Sequence, residues 1–156
     1  MGVDESCAVP LTPDVWWPLF SAAASFRMLR RVASVPTALV KILIVDNDPA
    51  IRRLLASMLA RLAPQIVECD DGARALDAYE AHRPDVVLMD VAMGAVDGIS
   101  ATALLTSTHP GIRVVMVTNY DDPYLREAAA EAGARGYVLK ENLVELPGLL
   151  RRLTGS

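Results

Sequence analysis

The stretch Lys41-Ile42-Leu43-Ile44-Val45-Asp46-Asn47-Asp48-Pro49 decides the fold of this chain. Ile42 to Val45 is a short run of branched apolar residues, as expected of a strand covered on both faces, and it leads directly into acids, an amide and a proline. A helical period follows. Ile51, Leu54, Leu55, Met58, Leu59 and Leu62 recur at the spacing of one buried face, with Arg52, Arg53 and Arg61 outside it. Asp48 is suited to cap this helix, and Pro49 to its first turn, where a missing N–H costs nothing.

Working outward, the same unit recurs. Strand-like runs at 65–69, 85–89, 113–117 and 136–139 are followed by helical patterns near 73–81, 98–107, 123–132 and 143–153. Five strand-helix pairs of this kind make a doubly wound α/β fold, because helices covering both faces of a parallel sheet turn its strands into continuous apolar runs such as Val86-Val87-Leu88-Met89. Residues 1–40 lack the alternation and are broken by Pro10, Pro13, Pro18 and Pro36. They are expected to form an N-terminal extension, partly helical over 19–32 or disordered, ahead of a single domain at 41–153. Trp16-Trp17 is read as covering the domain's own surface in preference to anchoring a partner, and a start codon placed too far upstream would also account for the segment.

Composition narrows the function. Fifteen basic against nineteen acidic residues give a net charge of −4, with no basic excess for a phosphate backbone, so nucleic acid is not an expected direct ligand. No run approaches the roughly 18 apolar residues that cross a bilayer, and the start Met1-Gly2-Val3-Asp4-Glu5 lacks a secretory n-region. Two cysteines, Cys7 and Cys69, suit a reducing compartment, so the expected location is cytoplasmic. Phosphate-cradling glycine motifs are absent, and His82 and His109 are expected as surface residues.

In doubly wound sheets chemistry collects at the carboxyl ends of the strands. Here those ends carry Asp46-Asn47, Asp90, Thr118-Asn119 and Lys140. Two carboxylates and an amide oxygen can hold a hard cation such as Mg²⁺, while Lys140 and the Thr118 hydroxyl can contact an anion bridging to it. Phosphoryl transfer to a carboxylate uses these parts. Any one of these residues is more often a cap or turn former, which is the reading given to Asp48, Asp97 and Asp122. The set at successive strand ends carries the argument.

On Ile44-Val45-Asp46-Asn47, Val87-Leu88-Met89-Asp90-Val91-Ala92-Met93, Asp97-Gly98, Met116-Val117-Thr118 and Gly136-Tyr137-Val138-Leu139-Lys140, the chain resembles the receiver domains of two-component response regulators. It is most similar to receivers that carry a C-terminal helix-turn-helix output, which is expected to be absent from a chain ending at Ser156. The resemblance implies a flavodoxin-like (βα)5 fold with strand order 2-1-3-4-5. It also implies a switch and not an enzyme, beyond self-catalysed phosphoryl transfer and autodephosphorylation. Asp90 accepts a phosphoryl group from a sensor histidine kinase or phosphotransfer protein, Thr118 moves toward the phosphate, Tyr137 turns inward and Lys140 pairs with it. Asp46, Asn47, Asp90 and the Ala92 carbonyl would hold Mg²⁺. The partner of the switched surface is a downstream protein or a second copy of the chain.

Two departures from the family pattern stand out. Asn47 occupies the place of the usual second acid, which removes one negative charge from a site for a divalent cation and implies weaker metal binding. Gly94 stands where a proline normally follows Met93, which frees the loop after Asp90. Two rivals follow. One is a phosphorylation-silent receiver acting as a binding module. The other is a haloacid-dehalogenase-type phosphatase with Asp46 as nucleophile, which leaves Asp90 without a role and lacks that family's later acidic pair.

Overall fold

The computed structural model describes residues 40–155. The expectations for the N-terminal extension, including the helix over 19–32 and Trp16-Trp17, lie outside the described residues. Strand β1 (Lys41–Val45) is followed by α1 (Pro49–Leu59), β2 (Gln65–Cys69), a 3-10 turn (Gly72–Arg74), α2 (Ala75–His82) and β3 (Val86–Met89). Then come α3 (Gly98–Thr108), β4 (Val114–Thr118), α4 (Pro123–Glu131), β5 (Gly136–Leu139), a second 3-10 turn (Lys140–Glu145) and α5 (Leu146–Thr154). All pairings are parallel, in the order β2-β1-β3-β4-β5 expected from the sequence.

Strand alternation divides the core. Ile42, Ile44, Val86, Leu88, Val115 and Val117 pack against Leu55 and Leu59 of α1 and Leu146 and Leu150 of α5. Leu43, Val45, Val87, Met89, Val114 and Met116 point the other way, onto Ala75 of α2, Ala101 and Leu105 of α3 and Ala129 of α4. The three inner strands are thus buried on both faces, while β2 at the edge is only partly covered.

The caps behave as read. Asp48, Asp97 and Asp122 each accept a backbone N–H of the first turn that follows, at 2.8–2.9 Å. Other expectations need correction. Leu54 and Met58 are 46% and 38% exposed, because α1 meets the sheet along Leu55 and Leu59, and a residue one position earlier is turned about 100° away. Arg52 is not outside; its side chain is 15% exposed and tied to neighbouring elements. The second helix begins at Ala75 and not near 73, since Asp71 caps Ala73 and makes a 3-10 turn first. The last begins at Leu146 and not Leu143; Asn142 is non-helical and Pro147 fits only a first turn. His109 is half-buried, with Nε2 3.2 Å from Glu80 and its ring 4.9 Å from that of Tyr79.

Candidate functional site

The order of the sheet reverses between β1 and β3, so the crevice lies at their carboxyl ends. Val45 and Met89 are register partners, which places the next residues, Asp46 and Asp90, side by side. The Asp90 N–H donates to the Val45 carbonyl at 2.9 Å, and the Asp46 N–H to the Cys69 carbonyl at 3.1 Å. Lys140 follows Leu139, the register partner of Thr118, and so arrives from two strands away. Its Nζ stands 2.7 Å from Asp46 Oδ2 and 3.2 Å from Asp90 Oδ2, with all three side chains at most 8% exposed.

Buried charge is costly unless paired, and here one ammonium serves two carboxylates. Burial raises the Asp90 carboxyl above its ordinary range; Lys140 pulls against that rise and Asp46 adds to it. For Lys140 burial works to lower the value, but the hydrogen bond to Asp46 and the charges of Asp90 and Asp46 outweigh it, so the ammonium is held more firmly than usual. The second Asp46 oxygen, Oδ1, accepts the Asp48 N–H at 2.8 Å.

Thr118 is fully buried at the end of β4, and its hydroxyl accepts the Tyr120 N–H at 3.3 Å. Tyr137, half-buried on β5, donates its hydroxyl to the carbonyl of the same Tyr120 at 2.7 Å, with the Arg126 guanidinium 4.5 Å above its ring. The backbone of one residue, Tyr120, therefore links the two residues expected to switch. Asn47 sits apart from the buried trio. It is exposed and lines a recess of about 280 Å³ with Asp70, Asp71, Arg74, Met93 and Gly94. Gly94 has φ of 39°, which a proline ring cannot adopt, so the loop takes a course that the family's usual residue would forbid. Ala92 lies on the same loop, exposed, two residues past Asp90.

Two contributors escaped the sequence reading. Gly98 is one: a Cβ there would lie 1.7 Å from the Asp90 carbonyl oxygen, so only glycine lets α3 start against the end of β3. The Asp97-Gly98 pair was its signal. Arg52 is the other, donating from Nη1 to the Asp46 carbonyl at 2.7 Å, and helix periodicity gives no sign of it.

The donors suit a hard cation. Asp46 Oδ2 is enclosed, and the Lys140 ammonium is its counter-charge among the described residues. Yet no three His, Cys, Asp or Glu side chains among the described residues cluster to hold a metal, and the residue after Asp46 is the amide Asn47. The chemistry fits Mg²⁺ with one charge fewer than the family pattern supplies.

Comparisons with known proteins agree with this geometry. The model of the response regulator receiver domain matches residues 42–151. The transcriptional regulatory protein LnrK of Bacillus subtilis is 37% identical over 106 residues, 66% of this chain and 48% of its own length. The response regulator MprA of Mycolicibacterium vanbaalenii is 36% identical over 120 residues, 74% of this chain and 52% of its own. The chain thus spans about half the length of the curated relatives it matches. A crystal structure of a two-component response regulator of the LuxR family from Aurantimonas superposes with a TM-score of 0.70 at 29% identity, covering 76% of this chain and 87% of that one. With the strand order and the family model in agreement, the chain belongs to the response regulator receiver family, whose members serve two-component phosphorelay signalling.

Proposed function

We propose that Asp90 is the phosphoacceptor, and that it takes a phosphoryl group from the phosphohistidine of a sensor kinase or phosphotransfer protein in the cytoplasm. A carboxylate oxygen of Asp90 forms the new O–P bond as the N–P bond breaks, and the departing imidazole keeps the electron pair and takes up a proton. Lys140, 3.2 Å from Asp90, is placed to pair with the charge on the transferred group. Asp46, Asn47, Asp90 and the Ala92 carbonyl would hold Mg²⁺, which when bound spreads the charge of the phosphoryl oxygens. Afterwards Thr118 and Tyr137 respond through the backbone of Tyr120, and the face of α4, β5 and α5 offers its altered form to a downstream protein or a second copy.

The observation that carries this reading is the buried Lys140 shared between Asp46 and Asp90 at 2.7 and 3.2 Å. The test is labelling with a small donor such as acetyl phosphate and Mg²⁺. The parent should be labelled and Asp90→Asn should not; equal labelling of both would move the acceptor elsewhere, with Asp46 as the phosphatase-type candidate. One observation favours a second reading, a silent receiver that works as a constitutive binding module: the metal position at Asn47 is neutral and exposed. Failure of the parent to label at any Mg²⁺ concentration, with the fold intact, would favour it.

A further inference from the structure

The reading above leaves Arg52 unused, although its side chain is built into the acidic end of β1. From the first turn of α1 its Nη1 donates to the Asp46 carbonyl at 2.7 Å, while Nε pairs with Glu68 on β2 at 3.0 Å. The side chain is 15% exposed. The backbone of Asp46 is consequently held through both peptides that flank it, with its N–H on the Cys69 carbonyl and its carbonyl under the guanidinium. That carbonyl belongs to the peptide joining Asp46 to Asn47, the two side chains that face the cation in the reading above.

We propose that Arg52 is a positioning residue for phosphoryl transfer, fixing the Asp46–Asn47 peptide so that the Asp46 carboxylate and the Asn47 amide oxygen are presented together. A planar fork bonded to two acceptors holds a plane as well as a point, which a lysine cannot do. The demand is higher here than with an acid at position 47. A neutral amide binds a cation only through a well-aimed oxygen, so geometry must supply what charge does not. The inference rests on the assignment of Asp46, Asn47 and Asp90 to the metal and phosphoryl site.

Electrostatics and positioning make opposite forecasts. Arg52 brings positive charge toward a cation site, so on charge alone Arg52→Gln should tighten Mg²⁺ binding. Positioning requires the reverse, a loss of about 10-fold, the scale found when a group that orients a metal ligand is removed. The experiment is a titration of the full chain with Mg²⁺ alone, read by the amide shift of Asp90, together with amide exchange in metal-free protein. In Arg52→Gln the amides of Asp46 and Asp48 should exchange faster, those of Thr118 and Leu139 should not, and the Mg²⁺ midpoint should rise. Glu68→Gln leaves the carbonyl bond in place and should keep the midpoint within about twofold of the parent. If Arg52→Gln does not fold, Arg52→Lys, whose single ammonium cannot hold both acceptors, reads the same amides in the same direction. Unchanged exchange at Asp46 and Asp48, or a midpoint equal to or tighter than the parent's, overturns the proposal. Labelling of Asp90→Asn would overturn the acceptor assignment instead, and the metal-free exchange at Asp46 and Asp48 would still decide the role of Arg52.

Discussion

Burial works against the charge of Asp90. Because its carboxyl is raised above the ordinary 3.8, the folded state binds a proton more readily than the unfolded chain does. Stability therefore falls as pH climbs from 3.8 to the raised value, and the cost is fully present above it. Asp90→Asn should unfold at higher urea than the parent at pH 7, and the gain should shrink as pH is lowered toward 4. A gain independent of pH, or a loss at pH 7, would contradict the assigned burial and charge. Asn47 calls for the opposite change. Asn47→Asp keeps the coordinating oxygen and restores the charge, so Mg²⁺ binding should tighten by about 1–2 kcal/mol, about 5- to 30-fold. Amide shifts around Asp90 during a Mg²⁺ titration measure it; Trp16 and Trp17 lie outside the described residues. At this scale Asp46, Asp90 and Lys140 were legible because strands deliver their terminal residues to one crevice. Arg52 was not, since the partner that ties it to Asp46 is a backbone carbonyl, and a carbonyl has no sequence signature.

Elements show the same division between what a pattern encodes and what packing decides. The α1 helix was visible in its periodicity, but which of six apolar residues would be covered depended on the angle at which it meets the sheet, and Leu54 and Met58 ended outside. Boundaries were set by local chemistry. Asp71 and Pro147 fixed the starts of α2 and α5 more sharply than the apolar pattern did. Gly94 on the β3–α3 connection and Gly98 at the start of α3 have different reasons for being glycine. Gly98→Ala would drive a Cβ to 1.7 Å from the Asp90 carbonyl, so α3 must shift, at a cost of about 3 kcal/mol or more. Gly94→Ala meets nothing within 4 Å and pays only for its positive φ, about 1–2 kcal/mol. Urea denaturation of the two variants should separate them in that order, and a larger loss at Gly94 would show that the close approach at Gly98 is relieved.

For the whole molecule, the repeated strand-helix pattern was sufficient for a doubly wound parallel sheet, while the order of its strands came from the resemblance to receiver domains, since connection lengths alone do not fix which strands pair. The hydrogen-bonded link between β4 and β5 was not legible, since it runs through the backbone of Tyr120. Tyr120 accepts from Tyr137 and donates to Thr118, joining β4 to β5 beside the buried carboxylates. The proposed function requires that occupation of Asp90 by a phosphoryl group be felt along that link. Its most direct test is the amide spectrum of the chain with and without beryllofluoride at saturating Mg²⁺. The expected result is a set of shifts at Asp90, Thr118, Tyr120 and Tyr137, absent in Asp90→Asn. Shifts confined to Asp46, or no shifts in either the parent or Asn47→Asp, would contradict the account.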